Sequence, residues 1–309
     1  MTPYPTIIDC DPGTDDIAAL ILARQLTALD VRAITVTAGN TELVNGVRNA
    51  LDVTALLDWD VPVAAGAARP LTRTLVTAAE YHGQDGMRGV VIPRAGRKTD
   101  SRPAWQMIYE IAKASQVPID LVVTGPMTNV AIALATYDDL PKYLRRIIAM
   151  GGAVLAGNTT AAAEYNFYVD PEAAERVLHS GVPVWLLPLD VTHQAYITRE
   201  ELAAVKELGT PAARLFYDVM DGYYNDVLHY SNGRGSALHD PTAVLYAADD
   251  SYFTSGHCFI GVETRGTITC GMMVTDRYSD KKLTPNAHLV ETIDRETFIA
   301  RIFATLNRY

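Results

Sequence analysis

Four aspartates crowd into eight residues where the first apolar run ends, in the stretch Ile7-Ile8-Asp9-Cys10-Asp11-Pro12-Gly13-Thr14-Asp15-Asp16. An apolar stretch that ends in acid, then Pro-Gly, then a helical pattern from Asp15 predicts a buried strand feeding a helix through a tight turn. Carboxylates packed at a strand end repel one another and destabilise the fold unless a cation compensates them. Their oxygens are hard donors, the type that suits Ca2+ or Mg2+. Asp15 and Asp16 also fall in the first helical turn, where the helix dipole favours negative charge. Helix capping therefore accounts for two of the four acids. It leaves Asp9 and Asp11 unexplained, which points to a metal or polar active site at this turn.

The remainder of the chain supplies the core such a site needs. Its 309 residues are 49% hydrophobic and 20% charged, an ordinary globular balance. A formal charge of −10 with no basic stripe argues against binding a nucleic-acid backbone. Cys10, Cys258 and Cys270 form no disulfide framework and no CxxC pair. No basic leader with an apolar core opens the sequence, and no run of 18 apolar residues occurs, so a cytoplasmic protein without a membrane segment is expected. Asn158-Thr159-Thr160 matches a glycosylation sequon, an incidental match in that setting.

Strand and helix patterns alternate along the chain. Residues 6–10 lead to a helix over 17–23. Residues 31–37 precede an amphipathic pattern with Val44, Val47, Ala50, Leu51, Thr54 and Leu57 on one face. Strands over 119–123, 147–150 and 184–189 follow, with helices near 129–135 and 171–178. The last third has a helical stretch over 212–228, strands near 259–263 and 272–275, and a helix over 295–306. Repeated βα units with short loops predict an α/β fold: one domain over 1–309, with a mostly parallel, doubly wound (Rossmann-like) sheet flanked by helices. Ligands bind such sheets outside the carboxyl ends of the strands. That rule selects 9–16, Ala38-Gly39-Asn40, Thr124-Gly125-Pro126 and Met150-Gly151-Gly152. Each segment carries a glycine, which permits close backbone approach to a ligand.

The block Asp-Cys-Asp-Pro-Gly-Thr-Asp-Asp resembles the motif of the inosine–uridine-preferring nucleoside hydrolases. The likeness continues through TVTAGN at 35–40, His82-Gly83, TGPMTN at 124–129, 150–152, AEYN at 163–166, VDPE at 169–172, DVTHQ at 190–194, His239-Asp240-Pro241 and Pro285-Asn286-Ala287. These blocks run in order over nearly the whole chain. A haloacid-dehalogenase-like phosphohydrolase also places Asp-x-Asp after its first strand, but Pro-Gly-Thr-Asp-Asp and the later blocks do not fit it.

The resemblance implies hydrolysis of the N-glycosidic bond of a ribonucleoside to ribose and free base, with one Ca2+ below the ribose and a dimeric or tetrameric homo-oligomer. Asp11, Asp16, Asp240 and the carbonyl of Thr124 would hold the cation. Asp11 would also be the general base toward a Ca-bound water. Asp15, Asn40 and Asn166 would bind the 2′- and 3′-hydroxyls, Asn158 and Glu164 the 5′-hydroxyl, and Met150 would lie under the sugar. Asp9 would orient its neighbours. His239 is the candidate acid for the leaving base, with an imidazole pKa suited to the task, or else an orienting residue. His82 is a second pocket histidine, and His193 a structural one. Base choice falls to residues 75–87 and 216–238, where Tyr217, Tyr223, Tyr224, His229 and Tyr230 could stack on a base. Pyrimidine nucleosides (uridine, cytidine) are the favoured class, with a broad or purine-preferring (inosine) enzyme as the alternative. A non-catalytic nucleoside- or ribose-binding protein on the same fold is the reading of another class.

Overall fold

The computed structural model describes residues 3–276 and 283–308, without the side chains of Asp226 and Tyr230. The first half of the chain comprises β1 (Tyr4–Cys10), α1 (Thr14–Gln25), β2 (Leu29–Val36), α2 (Leu43–Leu56), β3 (Val63–Ala65), α3 (Ala79–His82), α4 (Ala104–Ala114), β4 (Ile119–Val123), α5 (Thr128–Thr136) and β5 (Leu144–Met150). Next come α6 (Tyr165–Val169), α7 (Pro171–Leu178), β6 (Val184–Leu187), α8 (Leu189–Thr192), β7 (Tyr196–Ile197), α9 (Arg199–Glu207) and α10 (Pro211–Val227). The chain closes with β8 (Ser236–Ala237), α11 (His239–Ala248), β9 (Phe253–Val262), β10 (Met273–Asp276), β11 (Ala287–Ile293) and α12 (Arg295–Leu306).

Among the described residues, nine strands form one sheet in the order β10-β9-β11-β6-β5-β4-β1-β2-β3. From β3 to β11 every neighbouring pair is parallel; β9 runs antiparallel to both β11 and β10. The α/β, mostly parallel reading is therefore borne out. Ile7 and Ile8 point to opposite faces of β1 and both are fully buried, as a strand covered on both sides requires. The two faces carry two separate hydrophobic clusters, one packed under α1, α10 and α11, the other under α4, α5 and α7. Helix α1 is buried from Thr14 to Ala23, so it is apolar nearly all round and shows no amphipathic stripe. No helix among the described residues is long and apolar enough to cross a membrane.

Strand order reverses at β1. From it the chain builds outward through β2 and β3, and on the other side through β4, β5 and β6. Asp9 pairs with Thr35 on one flank and Val123 on the other. The crevice at this switch point is where an open parallel sheet takes its ligand.

Three differences from the sequence reading have physical causes. The strand expected over 184–189 stops at Leu187, because Pro188 has no N–H for the ladder and its fixed φ opens α8 instead. Residues 285–287, read only as a motif, lead into β11, which sits inside the main sheet between β6 and β9. Strand β9 starts at Phe253, well before the expected 259, through Ser255, Gly256 and His257, which break the apolar pattern.

Candidate active site

Two helices begin at the switch point and each carries acid in its first turn. Asp15 and Asp16 start α1, and Asp240 starts α11. The N-terminal ends of both dipoles favour negative charge there. One oxygen from each of these three buried carboxylates lies within 4.8 Å of the others. Asp16 is held on all sides. Its carboxylate accepts from the Gly13 N–H at 3.0 Å, the Asn40 amide at 3.0 Å and the Thr124 hydroxyl at 2.7 Å. The capping role read from the sequence and a place in the cluster thus fall to the same side chain.

Asp11 lies behind this trio. Its Oδ2 accepts the Asn40 N–H at 2.7 Å, while Oδ1 is buried with no hydrogen-bond partner. A Cβ on Gly39 would stand 2.0 Å from Oδ2, and one on Gly125 would stand 2.5 Å from Oδ1. The rim glycines therefore make room for a carboxylate, not directly for a ligand as expected. Gly152 serves a third end: at φ +74° it turns its N–H to Glu164 Oε2, 2.9 Å away. Asp9 sits deeper and orients its neighbours, accepting from Thr35 at 2.6 Å and from Asn129 at 2.8 Å.

Burial is the first cause that raises these acids, and mutual repulsion adds to it. Asp15 is pushed up to about 7, and Asp11 and Asp240 well above the carboxylate range. Asp9 and Glu164, also raised chiefly by burial, stand at about 7. Clustered acids with an orphaned oxygen on Asp11 form a cradle that a hard cation fits: it would satisfy that oxygen and cancel the repulsion, and the orphaned oxygen of Asp15 is left for a ligand hydroxyl. The Thr124 carbonyl accepts one amide hydrogen from Asn166 at 2.8 Å and keeps a second lone pair.

Above the acids opens a cavity of about 450 Å³. Asp15, Asn40, His82, Thr124, Met150, Asn158, Glu164, Asn166, His239 and Asp240 all line it; Asp11 and Asp16 lie just behind the wall. The structure thus brings together every residue singled out for metal and sugar. Glu164 is fixed by the Asn166, Gly152 and Phe167 N–H groups, and the Asn158 side-chain oxygen takes the Tyr165 N–H. Asn286, from the last motif block, instead stitches β9 to α7 through Ile260 and Leu178.

Each cavity histidine has its Nδ1 on a threonine. His82 Nδ1 receives the Thr14 N–H at 3.2 Å and lies 2.9 Å from its hydroxyl; His239 Nδ1 lies 2.8 Å from the Thr192 hydroxyl. Burial drives both imidazoles down to about 3, with the Arg88 charge adding to the effect at His82 and the nearby His193 and His82 rings at His239. The ordinary imidazole range expected for His239 does not hold in this pocket, and both rings are neutral at pH 7. His193, half-buried, packs edge-on against His239 at 5.7 Å.

Of the aromatics expected at the mouth, only Tyr223 among the described side chains lines the cavity, stacked on His82 at 5.3 Å. Tyr224 packs under Arg199 and Tyr217 under Lys206, and His229 is exposed. Tyr230 has its side chain outside the described set. Sequence reasoning missed Tyr165, Val227, Thr14 and Thr192. Three of these lie inside or beside quoted motifs, but nothing in their spacing marks a role.

Comparison with known proteins agrees with this geometry. The family model described as inosine-uridine preferring nucleoside hydrolase matches residues 6–300. Pyrimidine-specific ribonucleoside hydrolases RihA are 37% identical in Photobacterium profundum and 39% in Salmonella paratyphi B, with 99% of each chain covered in both cases. Among solved structures, the purine-preferring ribonucleoside hydrolase from Gardnerella vaginalis superposes with a TM-score of 0.91 at 31% identity, over 99% of this chain and 100% of that one. The plant nucleoside hydrolase PpNRh1 gives 0.92 at 28%, with the same coverage. Fold, site and relatives agree, and the chain belongs to the inosine-uridine preferring nucleoside hydrolase family.

Proposed function

We propose that this chain cleaves the N-glycosidic bond of pyrimidine ribonucleosides, uridine and cytidine, releasing ribose and free base. One observation carries the reading: a floor of buried, mutually repelling carboxylates lies under a nucleoside-sized cavity that also holds two neutral histidines. The pyrimidine preference rests on full-length relatives named as pyrimidine-specific.

Asp11, Asp16, Asp240 and the Thr124 carbonyl would hold a divalent cation, which we assign as Ca2+ from the resemblance to the nucleoside hydrolases, a choice the all-oxygen donor set suits. When bound, such a cation anchors the ribose diol and lowers the pKa of a nearby water. Asp11 is the general base. Its Oδ2 is pinned by the Asn40 N–H, and its unpartnered Oδ1 has two lone pairs, one for the cation and one to take the proton. Asp15, Asn40 and Asn166 hold the 2′- and 3′-hydroxyls; Asn158 and Glu164 take the 5′-hydroxyl. Met150 packs beneath the ring. The surrounding acids also stabilise the positive charge that builds on the sugar as the bond to the base breaks.

His239 and His82 face the departing base. As neutral rings they donate hydrogen bonds that stabilise the negative charge building on the base; a proton on the leaving base by way of His239 requires its ring to be charged first.

The test is release of free base and reducing sugar from uridine, cytidine, inosine, adenosine and guanosine, with and without a strong chelator. Turnover of uridine and cytidine that chelation abolishes is the expected result. Turnover of inosine alone would overturn the pyrimidine assignment and keep the chemistry. Cleavage of none of the five would overturn the enzymatic reading.

A further inference from the structure

We infer that the hydroxyl of Tyr165 is the catch that fixes the segment from Val76 to His82 over the cavity, which makes Tyr165 a positioning residue for nucleoside binding. The inference rests on the nucleoside-hydrolase reading above. Tyr165 opens α6 between Glu164 and Asn166, two residues assigned to the sugar. Its ring lines the cavity, and its hydroxyl donates to the Val76 carbonyl at 2.9 Å, across 89 residues of chain.

Every residue from Val76 to His82 lines the cavity, so where this segment sits sets the shape of the mouth. Its two ends are tied independently. Upstream, Leu71 N–H reaches Asp170 at 2.9 Å and Arg73 pairs with Glu172. Downstream, Ala78 N–H reaches the Asn40 carbonyl at 3.1 Å, and Arg88 holds the carbonyls of Glu80 and Tyr81. Between these anchors, among the described residues, the Tyr165 hydroxyl provides the one hydrogen bond to Thr74, Leu75, Val76 or Thr77. Glu164 and Asn166 are locked to the cavity floor through Gly152, Thr124 and Met150. The catch therefore ties the mouth to the part of the wall that grips the sugar. His82 is held separately by Thr14 and Tyr223, so the hydroxyl governs access and not the chemistry at the base.

Tyr165→Phe keeps the ring and deletes only the catch. Hydrogen exchange of the full-length variant without substrate is expected to be about fivefold faster at the bonded amides of Ala78 and Tyr81, the protection one neutral hydrogen bond supplies, with β1 and β4 unchanged. On the best substrate, KM is expected to rise about fivefold with kcat within about twofold of the parent. Unchanged exchange at Ala78 and Tyr81 overturns the catch, and so does a fall in kcat at constant KM. If the parent enzyme cleaves no nucleoside, the functional reading fails, while the exchange comparison still decides the catch.

Discussion

The backbone N–H of Thr14 points at Nδ1 of His82 from 3.2 Å, at the first residue of the buried helix α1. A backbone amide can only donate, so Nδ1 must accept, and the ring proton of His82 sits on Nε2. Burial and the Arg88 charge hold the imidazole at about 3, which keeps this tautomer neutral through the physiological range. Nitrogen NMR of the labelled enzyme should show His82 as the Nε2–H tautomer with no titration between about pH 5 and 9. A His82 resonance titrating near the ordinary value of 6.5 would contradict the arrangement.

Thr192 plays the matching part for His239, from α8, through a 2.8 Å contact between its hydroxyl and Nδ1. Thr192→Val keeps the branched shape and removes the hydroxyl. The ring loses one orienting bond worth about 1 kcal/mol, so kcat is expected to fall about fivefold to tenfold with little change in KM. Unaltered kinetics would mean that the Thr192 hydroxyl does not orient His239.

Chelation and pH should act together on stability. Asp9, Asp15 and Glu164 have folded values raised to about 7, above their unfolded range. Their contribution favours the fold below about pH 4 and is lost as pH rises through 7 when no cation compensates them. His82 and His239, lowered to about 3, act oppositely: their contribution is present above about 6.5 and is lost as pH falls through 3. Stripping the cation should therefore cost most at alkaline pH. The drop in Tm on chelation is expected to be larger at pH 8 than at pH 5.5 by about 5 °C, the shift that about 2 kcal/mol produces. An equal drop at both pH values would show that the cation's charge does not compensate Asp9, Asp15 and Glu164.

The catalytic end of the fold was legible because chemistry concentrates there. Four acids after an apolar run admit few structures, and the rim rule for parallel sheets picks out the other segments from sequence. The reason for the glycines was not legible, because the contact of Gly39 and Gly125 with Asp11 crosses between three strands' ends. Strand β11 escaped because His288, Glu291 and Thr292 interrupt its apolar pattern while it pairs inside the sheet. The tyrosines of α10 divide by helix rotation. Tyr217 and Tyr224, seven apart, share one face and pack under Lys206 and Arg199, whereas Tyr223 and Val227, four apart, share the face that meets the cavity. A list of aromatic residues carries no such distinction until the helix is set against its neighbours.

Asp11 and its two glycines give the sharpest separation of fold from chemistry. Asp11→Asn preserves shape; its side-chain oxygen can still accept the Asn40 N–H, which leaves the amide where the unpartnered Oδ1 now stands. It can neither take a proton nor carry charge, so kcat is expected to fall by about 10³ or more, while a ribose-like ligand still binds. Gly39→Ala keeps the carboxylate but drives a methyl to within 2.0 Å of it. Relief requires Asp11 to move, at about 1–3 kcal/mol of strain, and with it the Asn40 N–H that positions it. The two variants should therefore lose turnover together but part in stability, with Asp11→Asn at or above the parent Tm without cation, since one buried acid is gone, and Gly39→Ala below it. Measured side by side, wild-type turnover in Gly39→Ala would show that Asp11 need not sit where Oδ2 meets Asn40, and wild-type turnover in Asp11→Asn would remove Asp11 as the base.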